Sequence, residues 1–318
     1  PITDPGGAMP VTMLNCIPVS ADAEKGSVYN TGPAEIAKVI TPRTHAVIVA
    51  HISGLPVDMD GILALAKKHS LYVIEDCAQS HLTKYKGRLA GTMGHIAAFS
   101  TMFGKQHSSG GQGGIVYTKD EQLYWAARRF ADRGKPFGVQ SPTSNVVAAL
   151  NCNMDEIHAA IGRVNLSKLP GFIRRRREIA AKVASALEAS CKAVSMVTER
   201  EGDEASYWFL IFKLDTSTCK VDKAKFVEAL VAEGIPAGPG YPFFPLRMEW
   251  AKNRCIRCRS PRTAGDTCCD KSYAMPELPN AMQADHEHFR LTIHEDWTQN
   301  DVDLLIQAVT KVEAAYCS

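Results

Sequence analysis

Apolar and polar positions follow two different rhythms along the chain. Between residues 44 and 118, short apolar runs are separated by helical patterns, the texture of an α/β layer. Residues 46–50 (AVIVA) contain no polar position, as expected of a strand covered on both faces. Over residues 57–69 (VDMDGILALAKKH), Met59, Ile62, Leu63, Leu65 and Ala66 recur at helical spacing and predict one buried face. Residues 71–74 (LYVI) predict a second buried strand that runs into Glu75 and Asp76. Further strands are predicted over 96–102 and 114–117, with a loop rich in Gly, Ser and His between them. Helices are predicted over 120–130 and over 154–187, the second broken at Pro170.

After residue 187 the texture changes. Residues 206–213 (SYWFLIFK) predict a strand, 222–233 a helix and 300–315 a closing amphipathic helix. Residues 236–279 are rich in Pro, Gly, Arg and Cys and show little periodicity. The expected organisation is a larger α/β domain over residues 1–165, then a connector helix and a small C-terminal α+β domain over residues 166–318.

Composition narrows the function classes. The chain has 318 residues, 45% hydrophobic and 22% charged, enough for a sizeable buried core. A net charge of +2 argues against nucleic acid or an anionic membrane as partner. No apolar stretch approaches the roughly 18–20 residues of a membrane span, and no signal-peptide pattern opens the chain. The 10 cysteines are scattered rather than dense, so most are expected to be reduced, buried thiols of a cytoplasmic protein.

Candidate chemistry concentrates at two strand ends. In open α/β sheets ligands sit beyond the carboxyl ends of the strands, where Asp76 falls; an Asp there also suits a helix N-cap. Residues 99–114 (FSTMFGKQHSSGGQGG) run from a strand through Lys105 into a glycine-rich loop, whose backbone N–H groups can approach an anion. Alone, Lys105 reads as a phosphate clamp, a Schiff-base nucleophile or a solvated charge. Neither a P-loop nor a dinucleotide fingerprint fits this loop. An acid and an amine from adjacent strand ends are together what a pyridoxal 5'-phosphate site requires. The amine links to the aldehyde and the acid pairs with the pyridinium nitrogen.

The motifs EDCAQSH (75–81), YKG (85–87), FS (99–100) with Lys105 five residues after Ser100, and GQGG (111–114) occur in that order. With residues 40–74 they resemble the DegT/DnrJ/EryC1/StrS aminotransferases, over about residues 1–169. That resemblance implies a type I aspartate-aminotransferase-like α/β fold. It implies transfer of an amino group from glutamate or glutamine to a keto sugar, often nucleotide-linked, or to a cyclitol. Position by position, Lys105 matches the lysine that carries the cofactor and moves the proton. Asp76 matches the acid on the ring nitrogen, Gln79 the amide near the phenolic oxygen, and Ser100 a phosphate-binding hydroxyl. Asn151 matches an asparagine that reaches the cofactor phosphate of a neighbouring subunit, which implies a homodimer with a shared site. The same resemblance places Pro1 inside a larger catalytic domain, after the family's phosphate-gripping turn.

Two positions depart from the pattern. Asn153 stands where the family usually has arginine, and Asp4 stands where it usually has an aromatic that stacks on the cofactor. Both departures, and the absent upstream segment, favour an alternative in which the chain is a binding or regulatory relative. A dehydratase is the alternative within the same cofactor class, but members of that kind replace the lysine with histidine.

Other signals compete. Cys255, Cys258, Cys268 and Cys269 invite a zinc reading, but incidental or buried thiols are the simpler one, and no metal is assigned. His107 reads equally as a ligand contact or a locally bonded loop residue. His286, His288 and His294 around Arg290 suggest a substrate-anion or structural role. Arg174, Arg175, Arg176 and Arg177 spread over all faces of a helix and read as a solvated surface with some ion pairs. Tyr241, Pro242, Phe243 and Phe244 form an apolar turn that either closes over a substrate or packs.

Overall fold

Two sheets, each with its own apolar core, organise the chain in the computed structural model, which describes residues 1–241, 243–252 and 277–317. Short helices α1 (Met9–Met13) and α2 (Pro33–Val39) precede β1 (Ala46–Ala50). Helix α3 (Met59–Lys68) leads to β2 (Tyr72–Asp76), and the two-residue strands β3 (Lys84–Tyr85) and β4 (Arg88–Leu89) pair as a hairpin. Strands β5 (Ile96–Ser100) and β6 (Gly114–Tyr117) complete a sheet of order β1-β2-β5-β6. The first three strands are parallel, and β6 runs antiparallel to β5.

Local chemistry accounts for these elements. The Asp58 side chain accepts from Gly61 N and starts α3, whose predicted apolar stripe buries Met59, Ile62 and Ala66. These side chains share a core with Val49, Val73 and Tyr85. The parallel register sets Ala50 beside Asp76 and Asp76 beside Ala98, so three strand ends open onto one cleft.

Helix α4 (Glu121–Ala131) and the 35-residue helix α5 (Glu156–Ser190) lead to the second sheet. It is antiparallel, in the order β7 (Val194–Met196), β8 (Phe209–Leu214), β10 (His288–Thr292), β9 (Ala237–Gly238). Helices α6 (Lys223–Ala232), α7 (Glu249–Lys252), α8 (Pro279–Glu287) and α9 (Gln299–Tyr316) complete this half. Its core joins Phe212, Phe226 and Phe289 to Ile179 and Val183 of α5 and to Leu305 and Val309 of α9. A capping box between Thr298 and Asp301 begins α9. No described helix is long and apolar enough to cross a membrane.

Three expectations are corrected. Helix α5 runs unbroken through Pro170, because Pro170 and Leu166 both lie on the exposed face, where water can take the carbonyl that proline leaves free. Strand β8 begins only at Phe209, because Tyr207 adopts a left-handed conformation (φ 48°) that turns the chain first. Among the described residues the cysteines are not mostly buried thiols. Cys219 and Cys317 form a disulfide, Cys16 and Cys152 are exposed, and of the remaining described cysteines only Cys77 is fully buried. Cys255, Cys258, Cys268 and Cys269 lie outside the described residues.

Phe212 and Phe289 stack with centroids 5.2 Å apart at the centre of the second core. Phe212→Ala is expected to cost about 3–5 kcal/mol of stability in urea unfolding. A cost under about 1 kcal/mol would show that this contact does not organise the core.

Candidate active site

Strand alternation sends two consecutive acids to opposite sides at the end of β2. Glu75 turns inward and has no solvent exposure. Its carboxylate accepts from Gly91 N at 2.7 Å, Met93 N at 2.9 Å and Gly94 N, and from His51 Nε2 at 3.2 Å. Burial alone would raise the Glu75 pKa. The bonds from His51, Gly94 and Gly91 outweigh it and hold the carboxyl below its ordinary value. His51 Nδ1 accepts from Val57 N at 3.2 Å, so Nε2 carries the proton that faces Glu75. Cys77 completes a cluster of metal-ligand type with His51 and Glu75, but the imidazole and carboxylate are engaged as described and form a structural clasp.

Asp76 turns into the cleft. Its carboxyl accepts from Ala78 N at 3.0 Å and shares the cleft with Lys105. Burial raises the Asp76 pKa against the pull of the Ala78 N–H, Lys105 and His51. The same burial lowers the Lys105 pKa, against Asp76 and Asp4, which both favour the ammonium. Asp4 is therefore part of this site. It stands on the N-terminal segment, where its side chain also accepts from Gly6 N at 2.8 Å. One residue further on, a Cβ on Gly7 would lie 3.4 Å from Asp76 Oδ2.

The loop after β5 is built by its own hydrogen bonds. Lys105 N bonds Met102 O, Phe103 N bonds Gly111 O, and Ser109 N bonds Thr101 O, each at 2.8–2.9 Å. Glycine is required where the loop meets α5: a Cβ on Gly111 would collide with the His158 ring. Ser100 lies at the end of β5, its Oγ accepting from Met102 N at 3.3 Å. His107 Nε2 bonds Gly162 O at 2.9 Å, which fits its local reading. His81, packed edge-on against His107, is kept uncharged with a pKa lowered to about 4 by burial and by His107.

Gln79 ties both halves of the chain to the cleft. Its Oε1 accepts from Ser53 N at 2.7 Å and its Nε2 donates to Tyr241 Oη at 3.0 Å. Tyr241 is buried, and Asp4 and Asp76 act on its phenol, so Tyr241 contributes to the cleft wall. The structure thus brings Asp76, Gln79, Ser100 and Lys105 to neighbouring strand ends. It does not bring Asn151 to them. Asn151 is exposed before α5, bridged to Asp132, and its Oδ1 accepts from Asn153.

Two contributors escaped the sequence. Trp208 lies with its ring centroid 3.7 Å from Lys105 Nζ, hidden in the sequence within an apolar run that shows no facing. Arg176 is buried rather than solvated. It pairs with Glu295 at 2.7 Å and donates to the carbonyls of Tyr207 and Trp208 at 3.1 Å. Arg177 likewise donates to Ala205 O and Leu82 O, so the arginine run cements the junction of the two halves. Spacing alone could not distinguish these arginines from their exposed neighbour Arg174. The three histidines do not cluster: His286 and His294 are exposed, and His288 is buried with Nδ1 on Ala284 O.

A mixed sheet flanked by helices and a second, antiparallel sheet are the layers of the aspartate-aminotransferase-like fold, and a lysine and an acid share its strand ends. An X-ray structure of the aminotransferase from Psychrobacter cryohalolentis superposes on this chain with TM-score 0.86 at 27% identity, covering 99% of this chain and 80% of that one. The chain belongs to the DegT/DnrJ/EryC1/StrS aminotransferase family, whose sequence model matches residues 2–310. It is 27% identical to the spore coat polysaccharide biosynthesis protein SpsC of Bacillus subtilis, over 98% of this chain and 77% of that protein. It is 38% identical to the GDP-perosamine synthase of Escherichia coli O157:H7, over 51% of this chain and 44% of that protein.

Because burial disfavours the ionised Asp76, Asp76→Asn is expected to raise the thermal unfolding midpoint at pH 7. The gain is full above the raised pKa of the folded carboxyl and vanishes below the ordinary value of 3.8, where the native carboxyl is also protonated. Thermal unfolding across pH checks the sign. A destabilised variant would mean that the ionised form supports the fold.

Proposed function

We propose that the chain is a pyridoxal-phosphate-dependent aminotransferase that passes an amino group from glutamate or glutamine to a keto sugar, often nucleotide-linked, or to a cyclitol. The observation that carries this reading is Lys105 facing Asp76 in one largely desolvated cleft, with its ammonium disfavoured. Family membership and the sugar-related names of the two relatives support the substrate class.

The residues present fit the cofactor. A primary amine with a lowered pKa is a nucleophile for an aldehyde, and a carboxylate at the neighbouring strand end can pair with a ring nitrogen. Pyridoxal phosphate, when bound, supplies an electron sink and carries the amino group between the two substrates. Lys105 Nζ would hold the cofactor and, once released as a free amine, move the proton at the substrate carbon as base and then acid. Asp76 would keep the ring nitrogen charged. Gln79, fixed by Ser53 and Tyr241, would orient the ring near its phenolic oxygen, and Ser100 Oγ would bind the phosphate.

Asn151 is assigned to the phosphate held by a neighbouring copy, since its own chain leaves it exposed. The homodimer this requires is supported by a continuous apolar stripe on the first turns of α5. Ile157 there is 73% exposed, and Ile161 and Val164, four and seven residues on, are exposed on the same face. We keep the division near residue 165, where α5 passes from that stripe into the second core.

Mixing the protein with pyridoxal phosphate is expected to give an absorption band near the visible edge. Borohydride reduction is expected to add the cofactor mass to the peptide containing Lys105. Lys105→Ala should lose both signals. Glutamate should discharge the band in the unmodified protein; a band that persists, with no amino transfer to any keto sugar, would favour a binding role.

A further inference from the structure

The reacting amine of the proposed mechanism does not hang free in the cleft. Lys105 Nζ sits 3.7 Å from the centroid of the Trp208 ring, well within the distance at which a π face attracts a cation. The indole is not adventitious there. Its Nε1 donates to Gly104 O at 3.0 Å, so the ring is tied to the very turn that carries Lys105. Trp208 N donates to Ser53 O at 2.9 Å, and Ser53 N donates to Gln79 Oε1. A continuous chain of bonds thus runs from Gln79 through Ser53 and Trp208 to the lysine turn.

Two further features aim the ring. Tyr207 adopts its left-handed conformation immediately before Trp208, and Arg176 clamps the carbonyls of both residues. Phe209 and Tyr241 pack tilted and edge-on against the indole, at 5.5 Å and 6.5 Å between centroids. Trp208 thus reaches the cleft from the segment before β8, an element of the second half of the chain.

We infer that Trp208 is a positioning residue for the reacting amine: its indole face binds the Lys105 ammonium and walls one side of Nζ, fixing the side from which a carbonyl reaches it. The inference rests on the reading of Lys105 as the reacting amine. Among the described residues, the charged or titratable groups that act on Lys105 besides Trp208 are Asp76 from β2, Asp4 from the N-terminal segment and His81 from the turn after β2.

The test reads the amine directly. Lys105 in the full chain, freed of carbonyl compounds, is labelled with trace acetic anhydride across pH, and acetylation of its peptide is quantified by mass spectrometry. Trp208→Leu and Trp208→Met keep apolar bulk but remove the π face. Each is expected to lower the labelling midpoint by roughly 0.5–1.5 pH units, because the ammonium loses its stabilising contact. Trp208→Phe retains a π face and is expected to stay within about half of that shift. Thermal unfolding run alongside identifies any variant that has lost its fold, and Trp208→Phe against Trp208→Met then decides. An unchanged midpoint in the folded aliphatic variants, or an equal shift in Trp208→Phe, would overturn the inference. Failure of the aminotransferase reading would appear separately, as no band with pyridoxal phosphate in a protein whose Lys105 midpoint still depends on Trp208.

Discussion

The clasp on Glu75 is the constraint from which the rest of the site follows. A carboxylate with no access to water must be matched, and three backbone N–H groups and one imidazole match it. Those N–H groups come from residues 91–94, so satisfying Glu75 also fixes where the chain enters β5. Because neighbouring strand residues face opposite ways, anchoring Glu75 commits Asp76 to the cleft. One acid is spent on architecture so that the next can be held, poorly solvated, in front of an amine.

A second constraint joins the two halves. The buried pair Arg176–Glu295 carries a large desolvation cost, and what it returns is geometric: the guanidinium has further N–H groups for the carbonyls of residues 207 and 208. Replacing it with apolar residues of similar volume would leave those carbonyls unmatched, as well as removing a charge pair. The first half supplies the acid, the amine and the glycine loop, while the second half supplies Trp208 and Tyr241. The cleft is complete only where α5 holds both.

Much of this was legible in the sequence, and the failures are physically informative. The buried strands, the face of α3 and the order of the motifs were readable because burial imposes periodicity and a site at strand ends imposes residue order. The continuity of α5 was not readable, because proline breaks a helix only where the carbonyl it frees has no partner, and exposure at position 170 cannot be read from the residue itself. The run SYWFLIFK looked like uninterrupted strand because every residue is apolar or β-compatible. A single left-handed φ at Tyr207 divides it and changes which way Trp208 points. The arginine run was not readable for a related reason: four identical residues carry no periodic signal, so which of them turn to the junction is invisible until the helix has neighbours.

The Cys219–Cys317 disulfide closes a span of 98 residues, yet it is not the only tie on the last helix. Glu313 accepts from the backbone of Lys192 and Val194, Lys220 N bonds Tyr316 O, and Val302, Leu305, Val309 and Val312 are buried in the second core. Cleaving the sulfur bond therefore removes a restriction on the denatured chain while leaving these native contacts in place. The closing helix is thereby insulated from the redox potential of its surroundings: thiol exchange there alters how firmly the fold is held rather than which fold is held.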